Sequence, residues 1–301
     1  MGNRHKYPVA AQTENVTAKG HGPLILQTVD SLRAFVQAKK SAGLKIALVP
    51  TMGALHEGHL ELVRQGRKKA DLVIVSIFVN PTQFGPNEDF VAYPRTWEAD
   101  LEKLQTVGAH AVFHPSAQEM YPSGFTTTIH LKGVTEMLEG AIRPGHFDGV
   151  ATVVAKLLLQ AQPDVALFGE KDYQQLAVIQ RLVSDLNIPV KIAGVPIVRD
   201  EKGLALSSRN SYLSAAQYAI AVNLNKTLFT MARNIREGKN FGAVQAWGNN
   251  TLTAAGFDSV DYLELRDART LEPVAEGAKQ PLRLLAAVRL GRVRLIDNVP
   301  V

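Results

Sequence analysis

The segment Val49–Val63, VPTMGALHEGHLELV, runs from an apolar strand into an amphipathic helix and places two glycines and two histidines at the junction. Gly53 and Gly58 are separated by four residues, the spacing of a phosphate-cradling loop, but His59 and Leu60 stand where such a loop carries Lys and Ser/Thr. Grip on terminal phosphates and Mg2+ in the manner of a kinase or ATPase is therefore not expected. A zinc-protease helix needs histidines four apart, whereas His56 and His59 are three apart and straddle Gly58. What remains is a strand, a glycine-bearing turn and a helix start whose first N–H groups point outward, an anion site with imidazole donors added. Gly58, lacking a Cβ, lets a nucleotide approach the backbone. The plain alternative is that the imidazoles only cap the helix.

Outward from this turn, short β-rich runs alternate with longer helical patterns. Asp30–Ala42 reads as a helix stopped by Gly43, LKIALVP (44–50) as a buried strand, His59–Ala70 as a helix and DLVIVSIFVN (71–80) as the next strand. Thr96–Val107 is helical, AHAVFHP (109–115) a strand, GVATVVAKLLLQAQ (149–162) helical, DVALFG (164–169) a strand, Asp172–Asn187 helical and VKIAGVPIV (190–198) extended. This rhythm predicts an α/β fold, a Rossmann-like doubly wound parallel sheet with ligands beyond the carboxyl ends of its strands. After about Asp200 two helical stretches are followed by SVDYLELRDA (259–268) and LRLLAAVRLGRVRLIDNV (282–299), whose alternation suggests antiparallel strands. The expected organisation is a disordered extension at 1–23, a Rossmann-like ligand-binding domain at 24–197 and a smaller C-terminal α+β lid domain at 198–301.

Composition narrows the chemistry. The 301 residues are 46% hydrophobic and include no cysteine, so disulfides, thiolate metal sites and thiol nucleophiles are excluded. Thirty-three basic against twenty-eight acidic residues leave a net charge of +5, which suits a small anionic ligand. A nucleic-acid-binding module would need basic residues clustered with exposed aromatics, and here they are scattered. The leading residues lack the apolar core of a signal peptide, and no later run is long enough to span a bilayer, so a cytoplasmic protein with no membrane partner is expected and the Asn15-Val16-Thr17 sequon reads as chance.

Three more clusters fall at predicted strand ends or loops. FVNPTQFGPNEDF (78–90) projects the amides of Asn80 and Gln83 from the sheet edge that carries the histidine turn. LFGEKDYQQL (167–176) sets Asp172 as a helix cap and Lys171 against the positive end of the helix dipole, a placement that a phosphate ligand explains. GLALSSRNSYL (203–213) offers two hydroxyls and a forked guanidinium in Ser207, Ser208 and Arg209.

PTMGALHEGH (50–59) resembles the His-x-Gly-His signature of the nucleotidylyltransferase superfamily, and in this wording the pantothenate synthetase family. VNPTQFG, GEKD and SSRN extend the likeness, which covers Leu24 to the end; Leu206 stands where that family usually has Met, an exchange that keeps an apolar contact. The resemblance implies an ATP-dependent ligase that condenses (R)-pantoate with β-alanine through a pantoyl-adenylate, giving pantothenate, AMP and pyrophosphate. It implies ATP contacts at Met52, Gly53, His56, Gly58, His59, Gly169, Glu170, Lys171, Asp172, Val198, Leu206, Ser207, Ser208 and Arg209, and substrate contacts at Asn80, Gln83, Arg143 and Gln175. His56, His59, Lys171, Ser207, Ser208 and Arg209 are the expected catalytic donors for charge gathering at the α-phosphorus. Mg2+ is expected to arrive with the nucleotide, with no protein metal site, and the enzyme to be a homodimer. A rival reading, an adenylyltransferase acting on a phosphorylated acceptor, shares the histidine turn but not the Asn-Pro-x-Gln and Gly-Glu-Lys-Asp segments.

Overall fold

The computed structural model describes residues 22–86, 88–275 and 277–301. The extension expected at 1–23, apart from its last two residues, lies outside the described residues, as does the sequon. Six strands form one parallel sheet: β1 (Leu24–Leu26), β2 (Ile46–Thr51), β3 (Leu72–Ile77), β4 (Ala111–Phe113), β5 (Val165–Gly169) and β6 (Lys191–Val195), in the order β1-β4-β3-β2-β5-β6. The helices between them are α1 (Val29–Ser41), α2 (Glu57–Arg67), α3 (Trp97–Thr106), the short α4 (Ala117–Met120) and α5 (Glu139–Ile142), α6 (His146–Ala161) and α7 (Tyr173–Asp185).

Successive residues of the central strand serve opposite faces. Ile46 and Leu48 pack with α1, α6 and α7, while Ala47 and Val49 pack with Leu60 and Val63 of α2 and Leu104 of α3. Both faces are thus covered, which is why β2 reads as a continuous apolar run. Each of the Ile, Leu and Val side chains contributes roughly 1.5–3 kcal/mol by leaving water. From β2 the chain winds outward through β3 to β4, then returns to place β5 on the other side of β2. The order of winding reverses between β2 and β5, so the turns leaving their carboxyl ends lie side by side, at the crevice where such sheets bind ligands.

The C-terminal region carries α8 (Ala215–Arg236), α9 (Phe241–Ala255) and an antiparallel sheet of β7 (Ser259–Asp267), β8 (Leu282–Leu290) and β9 (Val293–Pro300). Leu224, Leu228 and Met231 of α8 and Val244 and Leu252 of α9 close a second core against Leu284, Ala286 and Val288 of β8. Two helices, α2 and α6, begin more than one residue earlier than their patterns suggest. α2 starts at Glu57 because His56 caps it, and α6 starts at His146 because Gly145, at φ +79°, turns the chain into it. Among the described residues no helix is long and apolar enough to cross a membrane.

Candidate active site

The turn after β2 is built from hydrogen bonds between side chains and backbone. Thr51 Oγ1 donates to the Ser76 carbonyl at 2.8 Å and accepts from the Gly53 N–H at 3.2 Å. His56 is the N-cap of α2: its Nδ1 accepts the Gly58 N–H at 3.1 Å, while the His56 N–H donates to His59 Nδ1 at 3.3 Å. This is a reciprocal capping box in which two imidazoles replace the usual hydroxyl and carboxylate. The rings lie 4.1 Å apart between centroids. With Nδ1 accepting, each neutral ring carries its proton on Nε2, its remaining polar atom.

Burial, and then the charge of Lys171, push His56 down from its ordinary value to about 4. Burial, then His56 and Lys171, hold His59 well below its ordinary value. Both are therefore neutral hydrogen-bond donors near neutral pH. Capping and ligand binding are compatible uses of one residue, because they employ different nitrogens. Gly58 has a more immediate task than admitting a nucleotide: a Cβ there would fall 2.9 Å from His56 Cε1 and 3.0 Å from its Nδ1.

Across the switch point, residues Glu170–Asp172 form a 3-10 turn leading into α7. Asp172 occupies the cap position of α7 without making the expected side-chain cap bond. Lys171 Nζ lies 3.9 Å from its carboxylate. The turn is held from the second sheet, since Asn298 Nδ2 donates to the carbonyls of Glu170 and Lys171 at 2.9 and 3.0 Å, and Arg283 reaches Glu170 Oε2 at 3.1 Å. The Ser-Ser-Arg loop meets the histidine turn directly: Ser208 Oγ donates to the Ala54 carbonyl at 3.1 Å. Ser207 caps the next 3-10 turn by accepting the Arg209 N–H. The Arg209 fork closes on Asp89, with bonds of 2.9 and 2.7 Å, rather than standing free.

Asn80 departs from expectation. It is 1% exposed, and its amide is fully engaged by protein: Nδ2 donates to Gln83 Oε1 and the Gly149 carbonyl, and Oδ1 accepts from Tyr121 and Thr82. It orients the Gln83 carboxamide instead of offering its own. Arg143 forks onto Glu88 at 2.6 and 2.7 Å and meets His146 Nε2 at 3.0 Å, while His146 Nδ1 bonds the Gln83 carbonyl at 2.8 Å. Burial, then Arg143, lowers His146 to about 4.

Met52, His56, Gly58, His59, Asn80, Gln83, Arg143, Gly169, Lys171, Asp172, Gln175, Val198, Leu206, Ser207, Ser208 and Arg209 border one cavity of about 240 Å³, with Phe78, Val150 and Leu157 forming an apolar wall. It adjoins a second of about 730 Å³ that shares Arg143, Lys171, Gln175 and Arg209 and reaches Arg292 in the turn between β8 and β9 and Arg294 of β9. Gly53 and Glu170 stand outside the cavity wall, Gly53 because it is packed against Ile77 and Asp100, Glu170 because it turns to Arg283. Sequence reading missed Tyr93 and His146, which border the cavity, and Asp100 and Lys103 behind the histidine turn. Asp100 left a signal: an acidic residue on the apolar stripe of Trp97, Leu101 and Leu104. Among the described residues no group of three or more His, Asp or Glu is gathered to hold a metal ion.

A doubly wound sheet whose switch point presents neutral imidazoles, a lysine and a Ser-Ser-Arg loop defines a nucleotide-using enzyme of the α/β class. The pantoate–β-alanine ligase family profile matches residues 24–300, and the chain belongs to that family. It is 57% identical to the pantothenate synthetase of Paramagnetospirillum magneticum over 92% of this chain and 97% of that one, and 56% identical to that of Rhodospirillum rubrum over 92% and 98%. Among solved structures, the pantothenate synthetase of Thermus thermophilus superposes with a TM-score of 0.87 at 45% identity, covering 92% of this chain and 98% of that one. The pantoate–β-alanine ligase of Francisella tularensis, complexed with β-γ ATP and β-alanine, superposes with a TM-score of 0.77 at 35% identity, covering 92% and 97%.

Proposed function

We propose that this chain joins (R)-pantoate to β-alanine at the expense of ATP, with the histidine turn holding the nucleotide at its α-phosphate. A pantoate carboxylate oxygen attacks the α-phosphorus, the bond to the β-phosphate oxygen breaks, and pyrophosphate leaves with that electron pair. The β-alanine amine then attacks the acyl carbon of the adenylate, AMP departs and the amine loses a proton, leaving the amide of pantothenate. The observation that carries this reading is the pair of imidazoles held neutral, with Nδ1 engaged by backbone and Nε2–H left to donate.

Charge accumulates on the phosphoryl oxygens as the carboxylate attacks. Donors fixed in advance stabilise it without reorienting. His56, His59, Lys171 and Ser207 are so placed around the cavity, and Ser208 and Arg209 join them by exchanging the Ala54 carbonyl and Asp89 for phosphate oxygens. Gln83 and Gln175 take the polar groups of pantoate, with Asn80 fixing Gln83, and Arg143 meets a substrate carboxylate. Asp172 is the carboxylate of the cavity wall that would meet Mg2+ carried in by the triphosphate, and the ion would there neutralise phosphate charge.

In this reading residues 24–197 hold ATP and pantoate, and residues 198–301 act as a lid whose Ser207–Arg209 loop already touches the histidine turn. The reading includes a cytoplasmic homodimer, and sedimentation as a monomer would remove the dimer from it. The reaction itself is tested by incubating the protein with ATP and pantoate. Pyrophosphate should appear with a bound adenylate, and AMP and pantothenate should follow only when β-alanine is added. AMP release that ignores β-alanine would contradict the assignment.

A further inference from the structure

The turn that presents the two imidazoles is gripped from behind by α3. Asp100, 1% exposed, accepts the Ala54 N–H at 2.9 Å through Oδ2 and the Leu55 N–H at 2.7 Å through Oδ1, which also accepts the Thr96 hydroxyl at 3.1 Å. Lys103, one helical turn further on, donates from Nζ to the Leu55 carbonyl at 2.6 Å. Ala54 sits at φ +49°, a left-handed conformation that a residue with a Cβ holds only where its surroundings over-determine it. A Cβ on Gly53 would fall 3.2 Å from Asp100 Oδ2, so the carboxylate is pressed against the turn at that residue too.

We propose that Asp100 and Lys103 are positioning residues of the active site, a two-point clamp that fixes the backbone of residues 53–55 and thereby aims His56 and His59 at the nucleotide. The proposal rests on the reading that these imidazoles face ATP. Packing alone does not call for these groups. Asp100 lies on the buried stripe of α3 between Trp97 and Leu104, where an apolar side chain would serve the core, yet its carboxylate receives two N–H groups that would otherwise be left without partners. Bonds from N–H to a carboxylate are stronger and shorter than neutral ones, and a pair of them fixes direction as well as distance.

The clamp also acts through charge. The charged and titratable groups acting on His56 are Lys171 and Asp172 from the turn after β5 and Lys103 from α3, and His59 feels His56, Lys171 and Lys103. All three cationic or imidazole neighbours favour neutral rings, with Asp172 opposing them at His56. Removing the Lys103 ammonium should therefore let both rings protonate at higher pH, a change that a merely structural residue would not cause.

The test compares the full chain with Asp100→Asn and Lys103→Met. Three readouts are taken: hydrogen exchange at Ala54 and Leu55, 15N shifts of the imidazoles across pH, and pantoate-dependent exchange of pyrophosphate into ATP. Asp100→Asn should speed exchange at both amides, disturb the Nδ1-acceptor signature of the rings and lower kcat between about tenfold and a hundredfold, the scale of a small misplacement of catalytic groups. Lys103→Met should speed exchange at the same two amides and raise the imidazole titration midpoints. Unchanged amide exchange and imidazole shifts in Asp100→Asn, whatever its activity, would overturn the clamp. Should that variant not fold, unchanged amide exchange at Ala54 and Leu55 in Lys103→Met overturns it alone. A His59→Ala enzyme with full turnover would instead refute the nucleotide reading, and the exchange and shift measurements would still decide the clamp.

Discussion

A histidine that gives Nδ1 to a backbone N–H has its tautomer chosen for it, and burial decides its charge. His56, His59 and His146 all fall below their ordinary value in the fold, with burial as the first cause. The folded chain therefore binds fewer protons than the unfolded chain between about pH 6.5 and pH 4, and stability rises with pH across that window. It should be fully present above 6.5 and lost as pH falls towards 4, by on the order of 2 kcal/mol each for His56 and His146 near pH 4.5 after allowing for their partial exposure. Urea midpoints at pH 7.0, 5.5 and 4.5 measure this, and a flat profile would contradict the protonation states. At this scale the sequence was legible where type and spacing coincide, as in His56-x-Gly58-His59. It was not legible for Asn80, because nothing local says that Tyr121 and Gly149, 41 and 69 residues away, engage its amide.

Among elements, the contact between α6 and the 3-10 turn Pro81–Gln83 depends on a missing side chain. A Cβ on Gly149 would lie 2.3 Å from the Thr82 carbonyl oxygen and 2.7 Å from the Gln83 N, both rigid backbone atoms. Gly149→Ala should therefore push the turn off the helix, lowering stability by about 2 kcal/mol or more and raising KM for pantoate through Gln83. Thermal unfolding and steady-state kinetics check the two effects, and a wild-type melting curve would contradict the close approach. The strands and helices themselves were readable because each apolar run has the period of its element. Their starts were less so, since a capping imidazole at His56 and a left-handed Gly145 leave no periodic trace.

For the whole molecule, the order β1-β4-β3-β2-β5-β6 brings the turns after β2 and β5 together, and alternation of strand and helix in the sequence was enough to anticipate that crevice. The grip of the second sheet on the first was not legible. Asn298 reaches Glu170 across 128 residues and Arg283 reaches the same residue across 113, contacts that no local pattern encodes. Asn298→Ala should free the carbonyls of Glu170 and Lys171, remove hydrogen bonds worth roughly 1–3 kcal/mol, and lower kcat while leaving KM for β-alanine within about twofold. Stopped-flow adenylate formation reads this directly, and an unchanged rate would mean that the second sheet does not help to place Lys171.

The central claim is that a neutral His59 donates to the nucleotide where negative charge develops. Pantoate-dependent exchange of labelled pyrophosphate into ATP, measured without β-alanine, isolates that step. His59→Ala, folded as judged by circular dichroism, should exchange roughly a hundredfold more slowly than the wild-type chain, the loss expected for one preorganised donor at about 3 kcal/mol. Exchange at the wild-type rate would contradict the account.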